Sequence, residues 1–129
     1  MRRLQRSEVN LAKKVDPDLE KMYRRMAAAI IRMECDYHST RMGVQYNKIT
    51  IRDQKSRWGS CSSQGNLNFS WRLILMHPMV GRYVVVHELA HLKHMNHSKA
   101  FWDEVERAMP NYKKRKEWLK QNGYKYIRR

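Results

Sequence analysis

The run His87-Glu88-Leu89-Ala90-His91, continued by Leu92-Lys93-His94-Met95-Asn96-His97, constrains this chain more than any other feature. Residues four apart on a helix share a face and differ by about 6 Å in rise. Two imidazoles so placed can hold one Zn²⁺ at about 2.0–2.1 Å each, with the intervening glutamate beside a water on the ion. The preceding Val84-Val85-Val86 says that the helix is largely buried. A buried carboxylate without a task would be costly, because a charge removed from water needs a partner. Glu88 therefore reads as a general base rather than as a surface residue that matches the pattern by accident.

A hydrolytic zinc takes three protein ligands and leaves one position open. On a straight helix His94 would lie about 10 Å along the axis from His87, too far for three ligands on one stripe to surround an ion. The chain must fold back, and such a reversal delivers His97; Asn96 suits a turn that needs a left-handed residue. His87, His91 and His97 are thus the expected metal ligands, with His94 or a downstream carboxylate such as Glu104 as alternatives for the third place. If not a ligand, His94 is a candidate for supporting or substrate contact, and Asp103 or Glu104 for accepting the distal N–H of a liganding imidazole. A structural zinc would close with a cysteine-rich tetrahedron. Neither Cys35 nor Cys61 lies in the cluster.

The rest of the chain frames this helix. Asp16-Pro17-Asp18 predicts a helix start, with Asp16 as cap and Pro17 in the first turn. Leu19, Met22, Tyr23, Met26, Ile30 and Met33 recur at three- and four-residue spacing, predicting an amphipathic helix to about His38. Residues 44–52, 58–62 and 67–71 read as strands, the last two joined by the hairpin residues Ser63-Gln64-Gly65-Asn66. Pro78 opens the histidine helix. Ser98 caps a helix carrying Phe101, Val105 and Met109; Pro110 ends it, and a last helix runs to Gly123. The expected fold is α+β: an N-terminal helix, a small antiparallel sheet, the histidine helix and C-terminal helices. The 129 residues read as one domain, 1–129, with 1–15 as a frayed arm, and should bury about two thirds of the unfolded surface. No apolar run approaches the ~18–20 residues of a membrane span. Met1-Arg2-Arg3-Leu4 is basic but lacks a hydrophobic signal region, so a cytoplasmic protein with two free thiols is expected.

Ser56-Arg57-Trp58-Gly59-Ser60-Cys61-Ser62 stands before the hairpin. Gly59 permits close backbone approach. The stretch reads as a strand lining a cleft, with Trp58 as a core residue and Arg57 available to hold an anion. Charge is a further signal: 27 Lys and Arg against 12 Asp and Glu give a net +15. Over residues 113–129, Lys113, Lys114, Arg115, Lys116, Lys120, Lys125, Arg128 and Arg129 face one acid, Glu117, with Trp118, Tyr124 and Tyr126 interleaved. This segment is a candidate surface for nucleic acid or another polyanion, unless the cations only solvate an outer helix face.

Taken together, Ser56-Arg57-Trp58-Gly59-Ser60-Cys61, Trp71-Arg72-Leu73, Tyr83-Val84-Val85-Val86-His87-Glu88-Leu89-Ala90-His91-Leu92, Asn96-His97-Ser98 and Phe101-Trp102 resemble the YgjP-like metallopeptidase-domain family of small bacterial zincins, over about residues 44–122. The resemblance implies a minimal zincin fold, one zinc ion on His87, His91 and His97, Glu88 as base, a peptide or protein substrate, and kinship with protease domains that degrade DNA-bound proteins. Ser70 stands where the family has asparagine before Trp71. The spacing also matches the metzincins, but His94 occupies their glycine position. A family does not by itself fix the substrate. Phosphoanhydride hydrolysis in a nucleotide, and a nucleic-acid-binding module with a vestigial zinc site, are the alternatives.

Overall fold

A computed structural model describes residues 16–127. The expected arm at 1–15 lies outside the described residues, as do Arg128 and Arg129. The described residues form helix α1 (Pro17–Met42), strands β1 (Lys48–Arg52), β2 (Gly59–Cys61) and β3 (Asn66–Ser70), a 3₁₀ turn (Trp71–Leu75), and helices α2 (Pro78–Ala90), α3 (Lys99–Ala108) and α4 (Tyr112–Asn122). A short 3₁₀ turn, Gly123–Lys125, follows α4.

α1 begins as its sequence dictates. Asp16 Oδ1 accepts the amides of Asp18 and Leu19 at 2.9 and 3.3 Å, and Asp18 and Glu20 complement the helix N-terminus. It runs past His38 to Met42, because Gly43, at φ +70°, supplies the left-handed residue whose N–H caps Ser39 and Thr40 carbonyls. Its buried face differs from the expected one. Ala27, Ile31, Cys35, His38 and Met42 point inward, and of the expected stripe Tyr23 alone joins the core, stacked on Trp71 at 5.6 Å. Leu19, Met22, Met26, Ile30 and Met33 are exposed, from 39% at Leu19 to 70% at Met33. The small Ala27 and Cys35 let α1 settle closely on α2 and the 71–75 turn. A face of larger side chains would hold them apart.

The sheet is mixed, not antiparallel, with order β1-β3-β2. β2 and β3 form the expected antiparallel hairpin, Gly59 opposite Phe69 and Cys61 opposite Leu67. Gly65, at φ +81°, makes its turn. β1 instead pairs parallel with β3, Ile49 beside Leu67 and Ile51 beside Phe69. Leu67 and Phe69 are fully buried, which demands the central position for β3. Residues 53–58 therefore carry the chain from one edge of the sheet to the other. Arg72, 1% exposed, anchors the start of that crossing by a 2.8 Å ion pair with Asp53. Ser70 Oγ accepts the Arg72 amide at 3.2 Å, so the serine caps the turn that positions this arginine.

Candidate metal centre

α2 presents His87 and Glu88 and ends one residue before His91. The His91 amide still reaches the Glu88 carbonyl at 3.1 Å, and the His94 amide closes on Ala90 at 3.0 Å. The chain then reverses, Ser98 Oγ accepts the Phe101 amide at 3.3 Å to start α3, and His97 is carried back over the α2 pair. One ring nitrogen from each of His87, His91 and His97 lies within 4.8 Å of the others; the Nε2 atoms of His87 and His97 are 3.3 Å apart. The turn needs no left-handed asparagine, since no non-glycine residue among those described has positive φ.

Contacts on the far side of the rings set their direction. His91 Nδ1–H donates to the His94 carbonyl at 3.0 Å, a tautomer assigned from this contact, which frees Nε2 for the cluster. The Tyr83 hydroxyl stands 3.4 Å from His87 Nδ1. Phe101, wholly buried, backs all three imidazoles at centroid distances of 4.5–5.0 Å. Trp102 stacks on His97 and on Tyr112, with Lys116 Nζ 4.1 Å from its ring centre. Burial first, then the neighbouring His91, His97 and Lys116, pushes the His87 pKa down to about 3; burial likewise lowers that of His91. The two imidazoles on α2 are thus held neutral, the form that binds metal. Three imidazole nitrogens converging on one point, open on the His97 side, fit a zinc ion with a free position.

Beside this cluster lies a cleft of about 290 Å³, lined by Arg57, Gly59, Ser60, Cys61, Glu88 and Met95 together with the three histidines. Glu88 is buried, and burial raises its pKa to about 7 against the opposing charge of Arg57. The close approach at Gly59 is real: a Cβ there would lie 3.1 Å from Glu88 Cγ and Val84 Cγ1. β2 forms one edge of the sheet and the far wall of the cleft.

Other expected residues lie elsewhere. Only the backbone of His94 is used. Glu104 is held by Lys93 at 3.2 Å and Arg107 at 2.9 Å on another face, and Asp103 pairs with Lys99 at 2.9 Å; neither meets an imidazole. Trp58 is a packing residue; a Cβ at Gly123 would lie 3.1 Å from its Nε1, so glycine allows the close approach there. Gly123 also ends α4 as expected, its N–H reaching the Leu119 carbonyl. In the basic segment Trp118 and Tyr126 pack against the core, 6.0 Å apart, and Tyr124 is exposed. The sequence places Lys116 only in the candidate polyanion surface, not beside the histidines, and gives Met95 no role, for neither stands out in a basic, methionine-rich chain. Tyr83 is visible in the sequence as the start of the histidine-helix motif, one turn before His87.

The YgjP-like metallopeptidase-domain model matches residues 1–122. The chain belongs to that family. The match reaches back across α1, beyond the motifs at 44–122. Two solved structures share the fold. The metallopeptidase zymogen abylysin of Pyrococcus abyssi is 24% identical, with a TM-score of 0.62 over 70% of this chain and 93% of that one. The zymogen jannalysin of Methanocaldococcus jannaschii is 18% identical, with a TM-score of 0.61 over 70% and 94%. Among curated proteins none matches. The family fits what the site offers, a metal cradle beside a buried carboxyl. No helix among the described residues is long and apolar enough to cross a membrane.

Proposed function

We propose that the chain is a zinc-dependent peptidase in which His87, His91 and His97 hold one ion and Glu88 is the general base. The observation that carries this reading is the buried Glu88 carboxyl sharing one cleft with three converging imidazoles. A bound zinc supplies Lewis acidity, polarising a carbonyl and acidifying water. Glu88 takes the proton of the attacking water and passes it to the leaving amine; its apolar burial keeps proton exchange within reach near neutrality. The free edge of β2 offers backbone groups to an extended polypeptide, which orients the scissile bond along the cleft. Arg57 opposes the negative charge that develops there. The reading includes a cytoplasmic setting, which suits two unpaired thiols.

Zinc-loaded protein offered casein, nucleoside triphosphates and phosphodiesters in parallel should release peptides only, and chelation should stop it. Phosphate or pyrophosphate release without proteolysis would replace the peptidase reading by a phosphohydrolase one. Polyanion binding without hydrolysis would point to a binding module instead.

A further inference from the structure

A second concavity, about 780 Å³, opens at the end of the sheet, between α1, β1 and the crossing segment 53–58. Among the described residues, Arg24, Arg52, Lys55 and Arg57 line it against a single carboxylate, Asp53. That carboxylate is already committed to Arg72 at 2.8 Å. Arg24 is paired with Glu20 at 2.9 Å. The charge left over belongs to Arg52, Lys55 and Arg57. Arg52 is held by a neutral partner, its Nε donating to Asn68 Oδ1 at 2.7 Å, so the guanidinium is fixed in place with its charge uncompensated. Asn68 in turn donates to Ser60 Oγ at 3.2 Å. Ser60 lines the catalytic cleft, and Arg57 lines both concavities. A polar ladder across the outer face of the three strands thus joins the basic groove to the site of cleavage.

We propose that this groove is a subsite for Asp and Glu side chains of the polypeptide substrate, selecting acidic segments beside the scissile bond; it rests on the peptidase reading above. A fixed guanidinium and two further cations, spread along an open groove, match carboxylates spaced along an extended chain. Among the described residues no aromatic ring lines the groove, so none of them offers a face for stacking a base. That favours peptide over nucleotide or nucleic acid.

The test reads binding before it reads cleavage. A fluorescein-labelled peptide with four glutamates and its glutamine counterpart are titrated by anisotropy against the zinc-free protein at low salt. The acidic peptide should bind about tenfold tighter, as expected of two or three partly screened charge pairs. Lys55→Glu, at an exposed position, should reduce that preference to about twofold, and Arg52→Gln should act in the same direction. Glutamine substitutions at Lys113, Lys114 and Lys120 should leave it intact. On the zinc-loaded enzyme the acidic peptide should show a lower KM with little change in kcat, a difference that Lys55→Glu removes. A preference that survives Lys55→Glu and Arg52→Gln, or disappears with the 113–120 substitutions, overturns the proposal. So does an oligothymidylate of equal charge that binds more tightly than the peptide and responds to Lys55→Glu. Groove-dependent binding without any cleavage would refute the peptidase reading alone; cleavage without acidic preference would refute the groove alone.

Discussion

α1 and α2 use apolar residues in opposite ways. On α2, Val84, Val85, Val86, Leu89 and Ala90 are all buried, and the helix is apolar nearly all round because the sheet, α1, α3 and α4 pack on it. On α1 the larger side chains, Met22, Met26, Ile30 and Met33, face outward, while Ala27, Ile31 and Cys35 make the contact. Periodicity reports that a helix has a face; which face is buried depends on how closely its partner must approach. α2, which carries His87 and Glu88, is surrounded. α1 is a support held by its small-residue side.

Mutations should separate the two helices sharply. The largest effect is expected at the imidazole cluster: His97→Ala should lose metal at equilibrium dialysis, whereas His94→Ala should keep it, since only the His94 carbonyl is used. Equal loss in both would remove the distinction. Phe101→Ala, behind the three rings, should cost about 3–5 kcal/mol in urea unfolding, and Leu89→Ala on α2 about 2–5 kcal/mol. On α1, Met33→Ala should stay within about 0.5 kcal/mol. A cost there comparable to that of Leu89→Ala would mean that the outer face of α1 is covered after all. Gly59→Ala falls between, because its Cβ forces Val84 or Glu88 to move; about 1–3 kcal/mol is expected from overpacking, with a larger loss of activity than of stability.

The smallest effect concerns the thiols. Burial pushes Cys35 up to about 12, and burial with the Glu88 charge pushes Cys61 up to about 11. The thiolate is the reactive form and is depleted below the pKa, so both thiols are almost wholly protonated at pH 8. Both should react slowly with a disulfide reagent at pH 8, faster as pH rises, and Cys61 first because Cys35 is enclosed. Rapid labelling of Cys35 in the folded protein would show that α1 detaches from α2.

The histidine helix, the hairpin and the caps at Asp16 and Ser98 were legible in the sequence because each rests on local chemistry: one-turn spacing, a glycine at positive φ, a side-chain oxygen on free amides. The return of His97 was legible too, since three ligands cannot surround an ion from one straight helix. Parallel pairing of β1 with β3 was not, for it follows from the need to bury Leu67 and Phe69 centrally, a property of the assembled core. Nor was the service of the His94 carbonyl, because a backbone group carries no signature in the residue type. Glu104 stands close to the site in sequence, yet its carboxylate is taken up by Lys93 and Arg107.

The account stands on Glu88 as the base beside a three-histidine metal centre, and Glu88→Gln tests that most directly. The amide keeps the shape of the side chain but cannot take a proton. With metal content and thermal unfolding both measured on the purified variant, zinc and fold should be retained while casein hydrolysis falls by about 10²–10⁴-fold. Hydrolysis within a few-fold of the parent, with zinc still bound, would contradict it.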